Sequence, residues 1–310
     1  MRVAALAVMS VVSAMAADRT LLSEGMPNAV YFSADGKTLS SNCRDGRVRT
    51  WDVASGKLLK EKTVGRAMLI APDVYAEQDE KAQTIRTWDL SADRQLQLIN
   101  GTGRQRTAIS RDHALMAMAS PEERSVRILK VGSAEAARVM ADGIGGASSL
   151  VFSPDGETLV SANYDNDIRV WKTKSGEMVK KVEDLTGAMF AAEFTPDGKE
   201  LIMAGLDETV YIWDTKTFAL SRKLKGHGET IAALAISPDG RTLVTGGFDV
   251  VSSKNPVKVA FWDLGTGKIT RTVGAPHQVA SLAFSPDGKW VAMTSGEKEV
   301  SLWSLGETGR

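Results

Sequence analysis

Phe152-Ser-Pro-Asp-Gly156 is one of five copies of a short pattern that recurs along the 310-residue chain. The other copies are Phe32-Ser-Ala-Asp-Gly36, Phe194-Thr-Pro-Asp-Gly198, Ile236-Ser-Pro-Asp-Gly240 and Phe284-Ser-Pro-Asp-Gly288. Between the first two copies along the chain lie two weaker ones, Ile70-Ala-Pro-Asp-Val74 and Ile109-Ser-Arg-Asp-His113. Successive copies start 38, 39, 43, 42, 42 and 48 residues apart, which indicates a chain built from seven similar units.

A second anchor follows each copy of the pattern at a near-constant distance. Its seven occurrences are Trp51-Asp52, Trp88-Asp89, Leu129-Lys130, Trp171-Lys172, Trp213-Asp214, Trp262-Asp263 and Trp303-Ser304. Six of the seven Trp residues therefore hold one position in the repeat. Chance placement does not produce this coincidence, so the two anchors define a single repeating unit.

Each unit reads as four short strands joined by tight turns. Ser-Pro-Asp-Gly suits a tight turn because Pro fixes φ, Asp hydrogen-bonds back to the backbone and Gly accepts a positive φ. The flanking segments, such as Thr158-Leu-Val-Ser161 and Ile168-Arg-Val-Trp171, alternate with the period of two that is typical of strands. No helical periodicity competes with this pattern, so the sequence predicts an all-β fold.

The two anchors together resemble the WD-repeat (WD40) family of β-propellers over residues 18–310. The resemblance implies a seven-bladed β-propeller in which every blade is a four-stranded antiparallel sheet. The family's Gly-His before the first strand survives once, as Gly226-His227. Blades two and three depart most from the family pattern, because Val74 and His113 stand where the turn favours Gly and Leu129 replaces Trp.

The two ends of the chain together supply one complete blade. The last unit ends shortly after Trp303 without a fourth strand, whereas Arg19-Thr-Leu-Leu-Ser23 precedes the first complete unit and has the pattern of a fourth strand. Pairing of these two segments would complete blade seven, as in family members that resemble this chain. Such closure also removes an open edge strand, which is a site of aggregation.

The first sixteen residues have the regions of a signal peptide. Arg2 supplies a positive charge, an apolar run follows, and Ala14-Met-Ala16 is a small-x-small cleavage site. The alternative is a short membrane anchor, but the apolar run of about 14 residues is shorter than the roughly 20 that a spanning helix needs. We therefore expect residues 1–16 to be removed and residues 17–310 to form one domain, periplasmic or secreted, as in an exported bacterial-type member of the family.

Composition excludes several kinds of partner and site. The 38 basic and 38 acidic residues balance, so no long-range field attracts nucleic acid or an anionic membrane. A single Cys, Cys43, cannot form an intramolecular disulfide, and three His residues make a His-rich metal site improbable. The sequence thus predicts a monomer with no metal, no cofactor, no nucleic-acid partner and no membrane insertion after cleavage of the signal peptide.

The resemblance implies a structural role for the polar residues of blade six. In the family, the His of Gly-His hydrogen-bonds an Asp in the turn after the second strand, and a Ser or Thr and the Trp complete the network. These positions fall on His227, Asp249, Thr245 and Trp262. A His–Asp pair also occurs in catalytic triads, but the repeat accounts for every member of this one.

Basic residues stand two positions before the second anchor (Trp, or Leu129 in blade three) in four units, as Arg49, Arg86, Arg127 and Arg169. Their alkyl stems can pack beside Trp between blades. The alternative is that a ring of guanidinium groups binds an anion.

One face of the predicted ring carries large residues at its turn tips. In four blades the residue just before the turn Asp is large, and one insertion adds a further loop to the same face. These predicted partner-binding residues are Arg44, Tyr164, Leu206 and Phe248, with Lys254 in the insertion Val250-Val-Ser-Ser-Lys-Asn-Pro256. Large side chains at loop tips serve a partner more than they serve the fold, although covering neighbouring blades is the alternative role.

These observations favour a non-catalytic propeller that acts as a scaffold for a protein or peptide partner. Two alternatives remain open at this stage. One is a sensor that binds a small ligand or sugar in the central channel, and the other is a metal-dependent propeller hydrolase or lactonase. The enzyme would need carboxylates and His converging on the channel, whereas the repeat already assigns most such residues structural roles.

Overall fold

The computed structural model describes residues 17–65, 67–71, 74–79, 84–90, 94–100, 106–120, 124–131, 138–141, 146–183, 185–248 and 256–305. In these ranges the chain forms 28 strands in seven four-stranded antiparallel sheets. The predicted all-β, seven-bladed propeller is therefore confirmed. None of the segments described forms a helix with the length and hydropathy of a membrane span.

The strands follow one another along the chain blade by blade. The first part of the chain forms β1 (Arg19–Leu22), then blade one from β2 (Pro27–Phe32), β3 (Thr38–Cys43), β4 (Arg47–Asp52) and β5 (Leu58–Thr63), and blade two from β6 (Ala67–Ala71), β7 (Val74–Asp79), β8 (Thr84–Asp89) and β9 (Arg94–Asn100). Blade three contains β10 (Arg106–Ile109), β11 (Leu115–Ser120), β12 (Ser125–Lys130) and β13 (Arg138–Ala141), and blade four contains β14 (Ala147–Phe152), β15 (Thr158–Asn163), β16 (Ile168–Lys172) and β17 (Met178–Val182). Blade five contains β18 (Met189–Phe194), β19 (Glu200–Gly205), β20 (Val210–Asp214) and β21 (Leu220–Leu224), blade six contains β22 (Thr230–Ile236), β23 (Thr242–Phe248), β24 (Val257–Asp263) and β25 (Lys268–Ala275), and blade seven begins with β26 (Ser281–Phe284), β27 (Trp290–Thr294) and β28 (Glu299–Ser304).

The ring closes through β1, which is the outermost strand of blade seven and pairs with β28. Arg19 lies opposite Leu302, and Leu22 lies opposite Glu299. Leu21 is fully buried in a cluster with Trp51 of blade one and Leu302 of blade seven, so β1 also seals the junction between the first and last blades. The prediction that residues 19–23 complete blade seven is confirmed.

The first strand of every blade lies on the inside of the ring. Neighbouring innermost strands contact one another from β2 through β6, β10, β14, β18, β22 and β26 back to β2. The main apolar clusters lie between consecutive blades, where the faces of adjacent sheets meet. The Trp anchors belong to these interfaces, and Trp51 and Trp262 are almost completely buried.

The Ser-Pro-Asp-Gly turns link the innermost strand of a blade to its second strand. In blade four the Ser153 hydroxyl donates a hydrogen bond to Asp155 at 2.5 Å, and the Asp155 carboxylate accepts one from the backbone N–H of Glu157 at 3.0 Å. Gly156 supplies the left-handed conformation that ends the turn, with φ of 71°. The same hydrogen bonds hold the pKa of Asp155 below its usual value.

Blades two and three depart from this turn in different ways. His113 takes the place of Gly in blade three and still adopts a φ of 58°, so the turn keeps its shape despite a side chain that disfavours it. In blade two, Val74 is the buried first residue of β7 and pairs with Ala71. Val74 therefore does not adopt the left-handed conformation that Gly has in the regular copies, because the strand begins there.

A repeated contact ties the outermost strand of one blade to the next blade. Each donor is a basic side chain, and each acceptor is the backbone carbonyl two residues after the aromatic anchor. The pairs are Arg19 with Val53, Lys60 with Leu90 at 2.7 Å, Arg138 with Thr173 at 2.8 Å, and Arg222 with Leu264 at 2.6 Å. These contacts join blades seven to one, one to two, three to four and five to six.

Candidate binding face and central channel

We call the surface that carries Arg44, Tyr164, Leu206 and Phe248 the tip face. Backbone hydrogen bonds hold the turns that bear the first three of these residues. The backbone N–H groups of Arg44, Tyr164 and Leu206 donate hydrogen bonds of 2.8, 3.1 and 3.0 Å to carbonyls just before the innermost strand of the same blade. These hydrogen bonds fix the backbone of each turn and hence the point from which each side chain leaves it. Preorganisation of the backbone lowers the entropy that binding would lose.

The exposure of the predicted tip residues differs. Tyr164 is 54% exposed and Leu206 is 49% exposed, and these two belong to the adjacent blades four and five. Arg44 is exposed and donates a hydrogen bond to Asn28 at 3.2 Å. Phe248 is half-buried, and Lys254 lies outside the described residues. Tyr164 and Leu206 thus form the apolar part of the tip face.

Glycines just before the innermost strands let the tips lie close to the ring. A β-carbon on Gly146 would approach Tyr164 to 3.4 Å, and one on Gly187 would approach Leu206 to 3.2 Å. Gly146 also has a φ of 126°, which L side chains rarely adopt. The sequence placed the large residues on this face, but only the structure shows that small residues support them.

Asp207, the turn Asp of blade five, orients side chains on the tip face. The Thr186 and Tyr211 hydroxyls both donate to its carboxylate, and the two hydroxyls are also within 2.6 Å of each other. Burial and the neighbouring Asp207 carboxylate raise the pKa of Tyr211. The backbone N–H of Thr209 also donates to Asp207, so this residue braces its own turn.

Blade six carries the polar network that the sequence singles out. The Trp262 indole N–H donates to the Thr245 hydroxyl at 2.8 Å, and all three of His227, Thr245 and Trp262 are buried. His227 Nδ1 lies 3.2 Å from the backbone carbonyl of Glu229, to which it donates. Burial, with the nearby charge of Lys258, lowers the pKa of His227 to about 4.

The pKa of His227 keeps its imidazole neutral at ordinary pH, as suits a buried structural residue. Asp249, the predicted partner of His227, lies outside the described residues. His227 Nε2 is buried and has no hydrogen-bond partner among the residues described. The Thr245–Trp262 part of the network is present, and the His227–Asp249 pairing stays a prediction.

The other indole groups show how the network varies around the ring. Trp171 Nε1 donates to Ser161 at 3.3 Å and Trp88 Nε1 donates to Glu77 at 3.2 Å, and both acceptors hold the register position of Thr245. In blade seven that position is Met293. In the described part of the chain, the buried Trp303 Nε1 consequently finds no acceptor.

Two of the predicted arginines neutralise acidic side chains inside the blades. Arg49 is almost completely buried and pairs with Asp45 at 2.6 Å and Glu61 at 2.7 Å. Arg169 pairs with the buried carboxylate of Asp167 at 3.0 Å. Both guanidinium groups face carboxylates of their own blade, so the alternative of an anion-binding ring is wrong for these two residues.

The central channel contains an acid that the sequence did not single out. Glu193 lies on β18 and accepts a hydrogen bond from the backbone N–H of Ile236 on β22 at 3.1 Å. Burial raises the pKa of Glu193 to about 8. Its side chain is half-buried and borders a cavity of about 330 Å³ at one mouth of the channel. In the sequence, this site is indicated by Glu193, an acidic residue in the otherwise apolar strand β18.

A larger cleft of about 640 Å³ lies on the opposite face from the tips, between blades five and six. Its acidic residues are already engaged: Asp197, Asp214 and Asp239 accept hydrogen bonds from neighbouring backbone N–H groups, and Glu200 pairs with Arg222. Across the described ranges, no three His, Cys, Asp or Glu side chains come together as a metal site would require.

The fold and the buried Trp anchors define a seven-bladed propeller whose blades derive from one sequence repeat. The family model for the WD domain, G-beta repeat (WD40) matches residues 12–52, 142–172, 180–214, 218–249 and 267–304, which is more than half of the chain. The chain therefore belongs to the WD40 family. Comparison with curated proteins gives no significant match. Four of the five matched ranges end with the third strand of a blade, so the sequence repeat is offset from the structural blade.

Proposed function

We propose that the chain is an exported, non-catalytic scaffold that binds a protein or peptide partner on its tip face. WD40 propellers are typically scaffolds without enzymatic activity, and that general property is extended here to a particular surface. The observation that carries the proposal is the pair Tyr164 and Leu206, which are half-exposed on adjacent blades above turns fixed by backbone hydrogen bonds. Aromatic residues on rigid supports are common interaction hot spots.

The charges near these residues favour a polar rim around an apolar centre. Arg44 is exposed on the same face, and Asp207 is oriented by Thr186 and Tyr211 rather than by an ion pair. An apolar centre with a polar rim is typical of a protein interface. A partner segment with an apolar side chain flanked by polar ones would match this arrangement.

A matched pair of double variants tests the tip face. Tyr164→Ala with Leu206→Ala removes the apolar tips, and Lys199→Glu with Lys289→Glu alters exposed residues of the opposite face. Wild type and both variants would be immobilised, and captured proteins would be compared by quantitative mass spectrometry. The affinity of the recovered partner would then be measured for each form.

We expect the tip variant to bind the recovered partner at least tenfold more weakly, about 1.4 kcal/mol, and the lysine variant to bind like wild type. Both should melt like wild type because the changed side chains are exposed. Retained binding by the tip variant together with lost binding by the lysine variant would place the interface on the opposite face.

Export is tested by the mass of the mature protein. In a bacterial host the full-length chain should appear outside the cytoplasm with Ala17 as its first residue. A chain that keeps residues 1–16 and stays in the cytoplasm would contradict the export part of the proposal and leave the tip-face part unaffected.

A further inference from the structure

The mouth of the central channel that faces away from the tips is a cavity with one acid and several aromatic rings. It lies between the innermost strands β2, β18, β22 and β26, and its volume is about 330 Å³. Pro238 and Pro286 of the Ser-Pro-Asp-Gly turns border it, which places it on the face of those turns. This volume lies at the small end of the range for small-molecule sites, roughly 300–1,000 Å³.

The charge of this cavity has one source. Glu193 is the one acidic residue among the described residues that line it, and none of those residues is basic. Tyr31 is the other titratable side chain of the lining, and the neighbouring innermost strands β14 and β22 carry no titratable residue. The cavity therefore has no group that would favour an anion.

The Glu193 carboxyl is only partly engaged by the protein. One oxygen, Oε2, accepts the hydrogen bond from Ile236, and no described residue donates to the other oxygen. The side chain is half-buried, with only part of its surface exposed to the channel, because protein surrounds the channel on every side. A carboxyl in such a place keeps an oxygen available to a ligand and loses much of its hydration, which strengthens any ion pair it forms.

Aromatic rings line the same cavity. Tyr31, Phe32 and Phe284 come from the innermost strands of blades one and seven. Tyr31 and Phe284 are half-buried, whereas Phe32 is buried in the apolar cluster between blades seven and one. The face of an aromatic ring attracts a cation, and ammonium groups are recognised by such rings together with a carboxylate. The rings also offer apolar surface to the rest of a ligand.

We infer that this channel mouth binds a small organic amine in its ammonium form, with Glu193 accepting the hydrogen bonds of the ammonium group. Tyr31 and Phe284 contact the apolar body of the ligand. This site is separate from the tip face, so its test does not depend on the partner proposed above.

Binding of an ammonium ion is linked to release of a proton. Burial holds the pKa of Glu193 at about 8, so much of the carboxyl is protonated at neutral pH. A bound cation stabilises the carboxylate, and the proton of the carboxyl leaves to solvent. The affinity for the ammonium form should therefore rise as the pH increases towards 8.

Three small molecules of similar shape provide the test. The probes are 2-phenylethylamine, neutral 2-phenylethanol and anionic 3-phenylpropanoate, each titrated into the full chain by calorimetry at about pH 6 and about pH 8. Two buffers of different ionisation enthalpy would report the proton release. The variants are Glu193→Gln and, as a matched control on an exposed turn of the same face, Glu157→Gln.

We expect saturable binding of 2-phenylethylamine, with proton release and higher affinity at the higher pH. Glu193→Gln should lower the affinity at least tenfold and remove the pH dependence, whereas Glu157→Gln should change neither. Tyr31→Leu should lower the affinity several-fold without changing the proton release. The wild-type pH profile and proton release keep the test valid if Glu193→Gln fails to fold.

Several results would overturn the inference. Absence of saturable 2-phenylethylamine binding by wild type would do so, as would equal binding of the alcohol or the propanoate. Binding that survives in folded Glu193→Gln, or that takes place without proton release, would show that Glu193 is not the group that recognises the ammonium ion.

Discussion

Blades six and seven have the same four-stranded sheet but are completed in different ways. Blade six is one continuous segment, and its Trp262 donates to Thr245 at 2.8 Å. Blade seven takes its outermost strand from the other end of the chain, and the buried Trp303 indole finds no acceptor among the described residues. Blade six thus depends on an internal polar contact, whereas blade seven depends on strand pairing and on the burial of Leu21.

The largest expected effect comes from removing β1. Deletion of residues 17–24 should expose the edge of β28 and the apolar surface that Leu21 covers, and the protein should aggregate or lose its cooperative melting transition. Size-exclusion chromatography and thermal melting would measure this. A soluble deletion variant with the wild-type melting temperature would contradict the role of β1 in closing the ring.

Neighbouring leucines of β1 give a matched control for that prediction. Leu21 is fully buried and Leu22 is 77% exposed. Leu21→Ala should cost about 2–5 kcal/mol of unfolding free energy, and Leu22→Ala should have almost no effect. Equal costs for both would mean that the strand does not seal the junction as described.

A pH-dependent effect should distinguish blade six. The pKa of His227 is about 4 in the folded protein and about 6.5 in an unfolded chain. Between these two pH values the unfolded chain binds a proton at His227 and the folded protein does not. The contribution of His227 to the free energy of unfolding is therefore complete above about pH 6.5 and decreases as the pH falls towards 4. The loss amounts to at most about 3 kcal/mol.

The comparison of wild type with His227→Gln isolates this contribution. Urea unfolding at several pH values should show a smaller loss of stability at low pH in the variant. Glu193 acts in the opposite direction, because its raised pKa removes stability as the pH rises from about 4.5 to about 8, but it is present in both proteins. Parallel pH profiles for the two would contradict the lowered pKa of His227.

Removing the Thr245 hydroxyl should weaken blade six by a smaller amount. Thr245→Val keeps the shape of the side chain and leaves the Trp262 N–H without its acceptor, at a cost of about 1–3 kcal/mol. Thr242→Val on the same strand is the control, since Thr242 is the first residue of β23 and its side chain is half-buried. The two variants would be compared by chemical denaturation, and a similar cost for both would remove the special role of Thr245.

The smallest effect is expected in blade seven, where Met293 holds the register position of Thr245. Met293→Thr and Met293→Val leave side chains of one shape that differ by a hydroxyl. The Thr variant should be more stable than the Val variant by about 1 kcal/mol, because its hydroxyl can accept from Trp303 Nε1. A more stable Val variant would show that the two blades differ in geometry as well as in sequence.

The sequence was sufficient to predict the blades, their order and the closing strand. The two anchors recur at nearly constant spacing, and Arg19-Thr-Leu-Leu-Ser23 has the pattern of the missing strand. Both features belong to the repeat, and a repeat can be recognised in a sequence without knowledge of the contacts in the fold. The sequence left the turn of blade two open, and there the strand begins at Val74, earlier than the pattern indicates.

The polar contacts within and between blades could not be predicted in the same way. Glu61 and Asp45 neutralise Arg49, which follows from the register of β4 with β5 and the turn before β4. Glu193 occupies the inner surface of the ring, and its hydrogen bond comes from the neighbouring blade. One sequence shows neither the register of a strand pair nor the residues that converge on the channel.

The pairing of β1 with β28 has a consequence for the order of folding. Arg19 is synthesised long before Leu302, so this pairing forms only after the blades between them have been made. Until then the outer edge of blade seven is open, and long-range contacts of this kind form slowly. At high concentration the β1 strand of another copy can occupy that edge, and exchange of β1 between two rings would then give a domain-swapped dimer with the same blades.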